Sequence, residues 1–268
     1  MLINKNGIYY RKWQAKKPKA VILAVHGMGA SSERFTDMGK FFVSKKMSVY
    51  AIALRGFGEL SQVPGHVGSL KLYYEDIAKL KEIIKKDNPD VPIFILGESM
   101  GAVISHTIAV DYDSDYKGII EVVPVYNDVM KISIMQRAAI AFVALFNPSK
   151  PVAMPFKSEE LTRDQAVLKR LKSDKREHRF ASGGLLVGIL LMQVNAMRKT
   201  GKMKVPVLFL LAGRDYLNDT HFAVKLFNKL KGDKEMYLYK DSFHALTIEK
   251  NRKEVFGDML GWMTKKIK

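Results

Sequence analysis

The chain has 268 residues, 47% hydrophobic and 26% charged, with no cysteine and a formal net charge of +17 from 44 Lys+Arg against 27 Asp+Glu. That length and balance suit one large domain, or a core with an insertion, and exclude a disordered or fibrous chain. The lack of thiols excludes disulfides, thiolate metal sites and a cysteine nucleophile. The basic excess raises nucleic acid or an anionic membrane surface as partners. The basic residues are mostly spread out, with no aromatic-interleaved platform and no nucleic-acid-binding motif, so no nucleic acid partner is expected. Residues 1–7 carry no basic-then-apolar run of signal-peptide length, and a cytoplasmic address is expected.

Ala20–Val25 reads as the first apolar strand and leads into His26-Gly27-Met28-Gly29. Val49–Leu54 follows, then the loop residues Arg55-Gly56-Phe57-Gly58 and Gly65-His66-Val67. Tyr74–Lys86 reads as a helix, Pro92–Leu96 as a strand, Ala102–Val110 as a helix and Gly118–Val123 as a strand. Near the C-terminus come the strand Val205–Leu211, the helix Phe222–Leu230 and the strand Glu235–Tyr239. Several of these strands are apolar throughout, as a parallel sheet covered on both faces requires. The alternation predicts an α/β fold with a mostly parallel central sheet flanked by helices.

The alternation breaks between Val125 and Lys204. A helical insertion is the simplest account, giving a core in two parts, residues 1–124 and 205–268, and a helical cap over 125–204. Its first helix, near Lys131–Phe146, carries only Lys131 and Arg137 as charges. Its last, Phe180–Met197, is uncharged and long enough to cross a bilayer. Gly183, Gly184, Gly188, Gln193 and Asn195 weaken that reading, and a single span here would split the sheet. It is therefore expected to pack on the core. Just before it, Lys169 to Arg179 holds six Lys/Arg against two acids. A basic segment beside an apolar helix predicts peripheral contact with an anionic membrane.

Gly97-Glu98-Ser99-Met100-Gly101 sits between a strand and a helix, the setting of a nucleophile elbow, where glycines allow a sharp turn and leave the serine exposed. A serine nucleophile needs a base, and the base an orienting acid. His244, just past the last strand, is the expected base. His106 lies seven residues after Ser99 on the same helix and cannot turn back to it. His26 falls on a loop after the first strand, His178 and His221 read as solvated helix residues, and His66 in its loop is the hardest to set aside. Asp215, after Val205–Leu211, is the expected acid, with Asp219 as a rival that could instead cap the next helix. The backbone N–H groups of Met28 and Met100 are expected to form the oxyanion hole.

The chain resembles the monoacylglycerol lipase and lysophospholipase-like branch of the α/β-hydrolase superfamily, related to serine aminopeptidase-like hydrolases. The resemblance runs over nearly the whole length. It is carried by residues 18–29, Arg55-Gly56-Phe57-Gly58 with Gly65-His66-Val67, Gly97-Glu98-Ser99-Met100-Gly101, Leu161-Thr162-Arg163-Asp164, Ser173-Asp174, Gly213-Arg214-Asp215 and Phe243-His244. The family often has aspartate where Ala53 stands and a second glycine where Ala102 follows the elbow. The resemblance implies the α/β-hydrolase fold, no metal or cofactor, and a cap covering an apolar acyl pocket, for which Ile132, Met135, Leu186 and Ile189 are the expected lining. It implies hydrolysis of monoacylglycerol or a similar monoacyl lipid, a small lipid or ester substrate. The alternatives are a carboxylesterase for short-chain or aromatic esters, an aminopeptidase-like enzyme needing an acidic anchor among Glu159, Glu160, Asp164, Asp174 and Glu177, and a binding fold without catalysis.

Overall fold

The computed structural model describes residues 1–112, 115–129 and 132–267. The chain opens with β1 (Leu2–Lys5) and β2 (Ile8–Trp13), joined by Asn6-Gly7 with φ of 55° and 78°. Two residues at positive φ make the turn whose twist suits a hairpin. Then come β3 (Ala20–Val25), α1 (Thr36–Ser44), β4 (Met47–Ile52), α2 (Lys71–Asp87), β5 (Ile93–Glu98), α3 (Met100–Asp111) and β6 (Gly118–Val122). Next are α4 (Ile134–Phe146), β7 (Pro151–Ala153), α5 (Gln165–Ser173), β8 (Phe180–Ser182) and α6 (Gly183–Lys199). The chain ends with β9 (Val207–Ala212), α7 (Thr220–Lys229), β10 (Lys234–Tyr239) and α8 (Arg252–Ile267).

Eight strands form one sheet in the order β1-β2-β4-β3-β5-β6-β9-β10. The hairpin joins antiparallel at one edge, and every other neighbour is parallel, as the α/β expectation requires. β3 shows why such strands read as apolar throughout. Val21, Leu23 and Val25 pack into the core shared with α2 and α3, while Ala20, Ile22 and Ala24 pack into the one shared with α1 and α8. Both faces are covered, so no polar alternation survives.

Several boundaries differ from the sequence expectation. β4 ends at Ile52, yet Ala53 and Leu54 remain buried, so hydropathy does not mark its end. β5 runs on through Gly97 and Glu98, which pair with Val25 and Val122. The stretch 125–204 is not all helical: β7 and β8 pair antiparallel, and Phe180–Met197 divides into β8 and α6. The division falls at Ser182, whose side chain caps α6 by accepting from Leu185 N–H. Lys131, expected near the start of the first helix there, lies outside the described residues.

α6 packs along α3 before the chain enters β9, which pairs directly with β6. It is therefore the crossover helix between two adjacent parallel strands. Among the described residues, no helix is long and apolar enough to cross a membrane.

The α8 face is anchored by Trp262, fully buried, whose ring meets Phe94 edge-on at 5.8 Å between centroids. It fits because Gly118 has no side chain: a Cβ there would come within 2.6 Å of the indole. Trp262→Ala should cost about 3–5 kcal/mol by denaturant unfolding. The indole N–H has no hydrogen-bond partner, so Trp262→Phe should cost much less, about 1.5 kcal/mol.

Candidate active site

β5 and α3 meet at Ser99, which stands at φ 58° and ψ −119°. A non-glycine residue there is strained, and the surroundings over-determine it. A Cβ on Gly97 would lie 2.1 Å from the Gly101 carbonyl oxygen, and one on Gly101 would lie 2.2 Å from that of Val25. Both glycines are steric requirements of the close approach of α3 to β5 and β3. The Ser99 N–H donates to Val122 O at 2.9 Å, tying the turn to β6.

The loops after β9 and β10 bring two side chains to this serine. Ser99 Oγ lies 2.9 Å from His244 Nε2, and His244 Nδ1 lies 2.8 Å from both carboxylate oxygens of Asp215. The Asp215 carboxylate is fully buried and also accepts from the N–H groups of Leu217 and Asn218, each at 2.9 Å. With its Nδ1–H on the carboxylate, the ring presents Nε2 as the acceptor for the serine proton. This chain of hydrogen bonds can activate a serine hydroxyl. Asp219 stands elsewhere: it caps α7 by accepting from Phe222 N–H at 3.0 Å.

Four of the five remaining histidines have other partners. His106 Nδ1 lies 2.7 Å from Glu121 in the core, and His66 Nδ1 lies 3.0 Å from Ser182 Oγ. His221 is an exposed residue of α7, as expected. His178 corrects the expectation: it is in no helix, and its ring stacks on Phe57 at 5.4 Å with 7° between planes. His26 is buried beneath the glycine-rich loop. Its Nε2 accepts from Leu54 N–H at 3.1 Å, so the ring is neutral and carries its proton on Nδ1, 2.9 Å from Gly27 O. Burial lowers its pKa from 6.5 to about 4.

Met28 and Met100 both line the cavity at Ser99, and Met100 begins α3, where backbone N–H groups are free of intrahelical partners. Two charged residues that the sequence reading passed over line it as well. Glu98 is buried beside the elbow and accepts from the N–H and hydroxyl of Thr247. Burial pushes its carboxyl above the usual carboxylate range, while Arg34 and Thr247 act in the opposite direction. Arg34 grips Glu177 through two bonds of 3.0 and 2.5 Å. Glu98 was visible as a polar residue ending an apolar strand; Arg34 carried no sequence signal.

The cavity at Ser99 measures about 60 Å³ and is chiefly apolar, walled by Phe156, Leu161, Ile189 and Leu217. A second cavity of about 150 Å³ lies between α4 and α6 and shares Met28, Val125 and Ile189 with the first. Ile132 and Leu186 line the second and Ile189 lines both. Met135 does not: its side chain is turned to solvent, 84% exposed. The inner side of α4 is formed by Arg137, Ile140 and Ala141, and with apolar residues all round the helix, spacing alone could not select that side.

Residues 16–251 match the family described as serine aminopeptidase, S33. The chain is 26% identical over 277 residues to monoglyceride lipase of Mus musculus, spanning 99% of this chain and 90% of that one. It is also 26% identical over 247 residues to phospholipase YtpA of Bacillus subtilis, spanning 91% of this chain and 95% of that one. The crystal structure of the Paleococcus ferrophilus monoacylglycerol lipase superposes with a TM-score of 0.87 at 20% identity, over 97% of this chain and 99% of that one. The chain belongs to the serine aminopeptidase S33 family, in the monoacylglycerol lipase-like branch of the α/β-hydrolases. It is a hydrolase of the lipase and esterase type.

The buried neutral His26 makes stability pH-dependent. The unfolded ring binds a proton below about pH 6.5, the folded one only near pH 4. Between these values the unfolded state holds more protons, so stability falls as the pH falls. Urea unfolding at pH 7 and pH 4.5 should show a loss from this ring of about 2–3 kcal/mol. His26→Gln should remove that part of the loss; the same pH dependence in both proteins would assign it to other groups.

Proposed function

We propose that the enzyme hydrolyses the acyl ester of monoacylglycerol, or of a similar monoacyl lipid, through a serine acyl-enzyme. Ser99 attacks the acyl carbonyl as His244 Nε2 takes its proton. Asp215 holds the imidazole in the required tautomer and stabilises the imidazolium that forms. The N–H groups of Met28 and Met100 receive the oxyanion. His244 then gives the proton to the departing alcohol, and a water activated by the same ring releases the fatty acid. The observation that carries this reading is the continuous hydrogen-bonded series from Asp215 to Ser99, opening onto an apolar cavity.

Residues 125–204 act, in this reading, as a cap over a core made of residues 1–124 and 205–268, with the acyl chain lying between α4 and α6. The names of the relatives favour a lipid ester: monoglyceride lipase for the mouse protein and phospholipase for the Bacillus subtilis one. The peptidase alternative needs a free acidic anchor for the substrate amine. Glu159 pairs with Lys172, Asp164 with Arg252, Asp174 with Arg176 and Glu177 with Arg34, while Glu160 accepts from the Lys157 N–H. The carboxylesterase is the second reading, favoured by the small size of the cavity at Ser99.

The cap also offers a lipid-facing surface. Ile134, Met135, Phe142, Leu145 and Phe146 of α4 and Leu190 and Leu191 of α6 are exposed, beside the cavity that the acyl chain would enter. We assign peripheral membrane contact to this face, supported by the exposed Lys169, Arg170 and Lys175. The expected basic segment contributes less than its sequence suggested, because Arg176 is bound within the protein. Met135→Glu with Phe142→Glu should weaken binding to anionic vesicles at least tenfold and leave hydrolysis of a soluble acetate ester unchanged. Binding unaffected by both substitutions would place the contact elsewhere.

Hydrolysis of p-nitrophenyl esters across chain lengths, then of 1-monoacylglycerols and a dipeptide amide, tests the substrate class. Ser99→Ala should lower kcat by ~10⁵ or more, and Asp215→Asn by roughly 10⁴ through the wrong tautomer. Ile189→Trp should cut turnover of long esters far more than of acetate esters. Activity surviving in Ser99→Ala would remove the serine mechanism, and a preference for acetate over all longer esters would favour the carboxylesterase.

A further inference from the structure

The basic segment Lys169 to Arg179 ends in a place its charge does not suggest. Residues 176–178 turn inward and lie against the glycine-rich loop after β3. The Arg176 guanidinium reaches Glu33 at 3.2 Å and Glu59 at 3.5 Å, carboxylates that also hold the buried Arg11. The Glu177 carboxylate takes both bonds from Arg34, and the two side chains are only 5% and 9% exposed. The core therefore offers Glu33-Arg34 and the strap answers with Arg176-Glu177, acid against base at each position.

His178 makes the contact nearest the chemistry. Its N–H donates to Gly29 O at 3.1 Å, one residue beyond Met28. Gly29 stands at φ +72°, and a Cβ there would lie 2.2 Å from the His178 carbonyl oxygen. On its far side the His178 ring lies against Phe57, with Nε2 3.2 Å from Gly56 O. The loop bearing Met28 is thus held from below by His26 and from above by the strap.

We propose that Glu177 and His178 are positioning residues for hydrolysis: the strap holds the Met28 loop so that its N–H stays aimed at the developing oxyanion. The inference rests on the serine mechanism proposed above. An oxyanion donor works only when it is already in place, because a displaced one must be moved during the reaction. A misplacement of 1 Å can cost about a hundredfold in rate. Glu177 acts through Arg34, which shares the cavity wall with Met28 and Ser99. His178 acts through its backbone N–H on Gly29.

The test is steady-state hydrolysis of p-nitrophenyl acetate, whose acyl group is too short to need the cavity between α4 and α6, with a long-chain p-nitrophenyl ester measured in parallel. Glu177→Gln removes the charge that fixes Arg34. Its kcat should fall roughly 10- to 100-fold, the range of a partly displaced donor, with KM changed less than threefold. Glu177→Asp should recover part of the loss, since a carboxylate remains. Thermal melting of each variant reports folding. If Glu177→Gln does not fold, Arg176→Gln is the substitute, its side chain being 32% exposed; kcat should then fall several-fold at unchanged KM. Wild-type kcat in a folded variant would overturn the proposal. So would a rise in KM confined to long-chain esters, which would make the strap a pocket wall. Ser99→Ala separates the two claims: activity there removes the serine mechanism itself, whereas an inactive Ser99→Ala beside a fully active Glu177→Gln removes only the strap's role.

Discussion

The close approach of α3 to β5 and β3 at Ser99 constrains everything built around it. No side chain fits at position 97 or 101, so the strand can turn directly into the helix and the serine takes a backbone conformation that costs about 1–3 kcal/mol. The same approach lays α3 against β3, and the loop leaving β3 carries Met28 to the serine. The loops leaving β9 and β10 reach it from the other side with Asp215 and His244. All emerge at one edge of a sheet whose parallel strands fix their spacing, the edge where open α/β sheets gather ligands. A small shift of α3 would therefore spoil several alignments together.

Buried carboxylates do the fine positioning. Asp215 holds the His244 ring. Glu98 takes the N–H and hydroxyl of Thr247, three residues further on. Glu249, wholly buried, accepts from Phe243 N–H and from the Arg163 N–H. A buried carboxylate is tolerated only when hydrogen-bonded or paired, and each of these meets that condition with His244 itself or with a residue within three positions of it. The desolvation that makes them costly also makes their geometry stiff, while the cavity itself keeps an apolar wall.

What the sequence made legible follows from which physical signals are local. Fully covered strands such as β3 announce themselves as apolar runs, and the residues of the candidate site stand out as Gly97 to Gly101, Asp215 after β9 and His244 after β10. The hairpin of β1 and β2 had a local signal in Asn6-Gly7, but both of its strands are partly polar, so no apolar run drew attention to it. α4 has no charged stripe opposite its apolar one, so spacing could not show that Met135 faces outward, while Ile132 precedes the helix and lines the cavity from outside it. The basic segment misled for a different reason. Charge in a sequence shows how many partners are needed, not whether they are water, lipid or carboxylates far earlier in the chain, as Arg176 and Glu33 show.

α6 gives the molecule an unusual division of labour. The upper part of this one helix borders the cavity through Leu186 and Ile189, while its lower part packs on α3 and carries the chain back to the start of β9. The stretch from β6 to β9 is therefore not a detachable module. Excising it would cut the thread that delivers β9 to β6, and with it the placement of Asp215. A chimera with a relative should therefore exchange only the portion from α4 to β8, with α6 retained. Leu186, Val187, Ile189, Leu190 and Gln193 of α6 line the cavity beside α4, so any change of lining there has to be compatible with the seat of the same helix on α3.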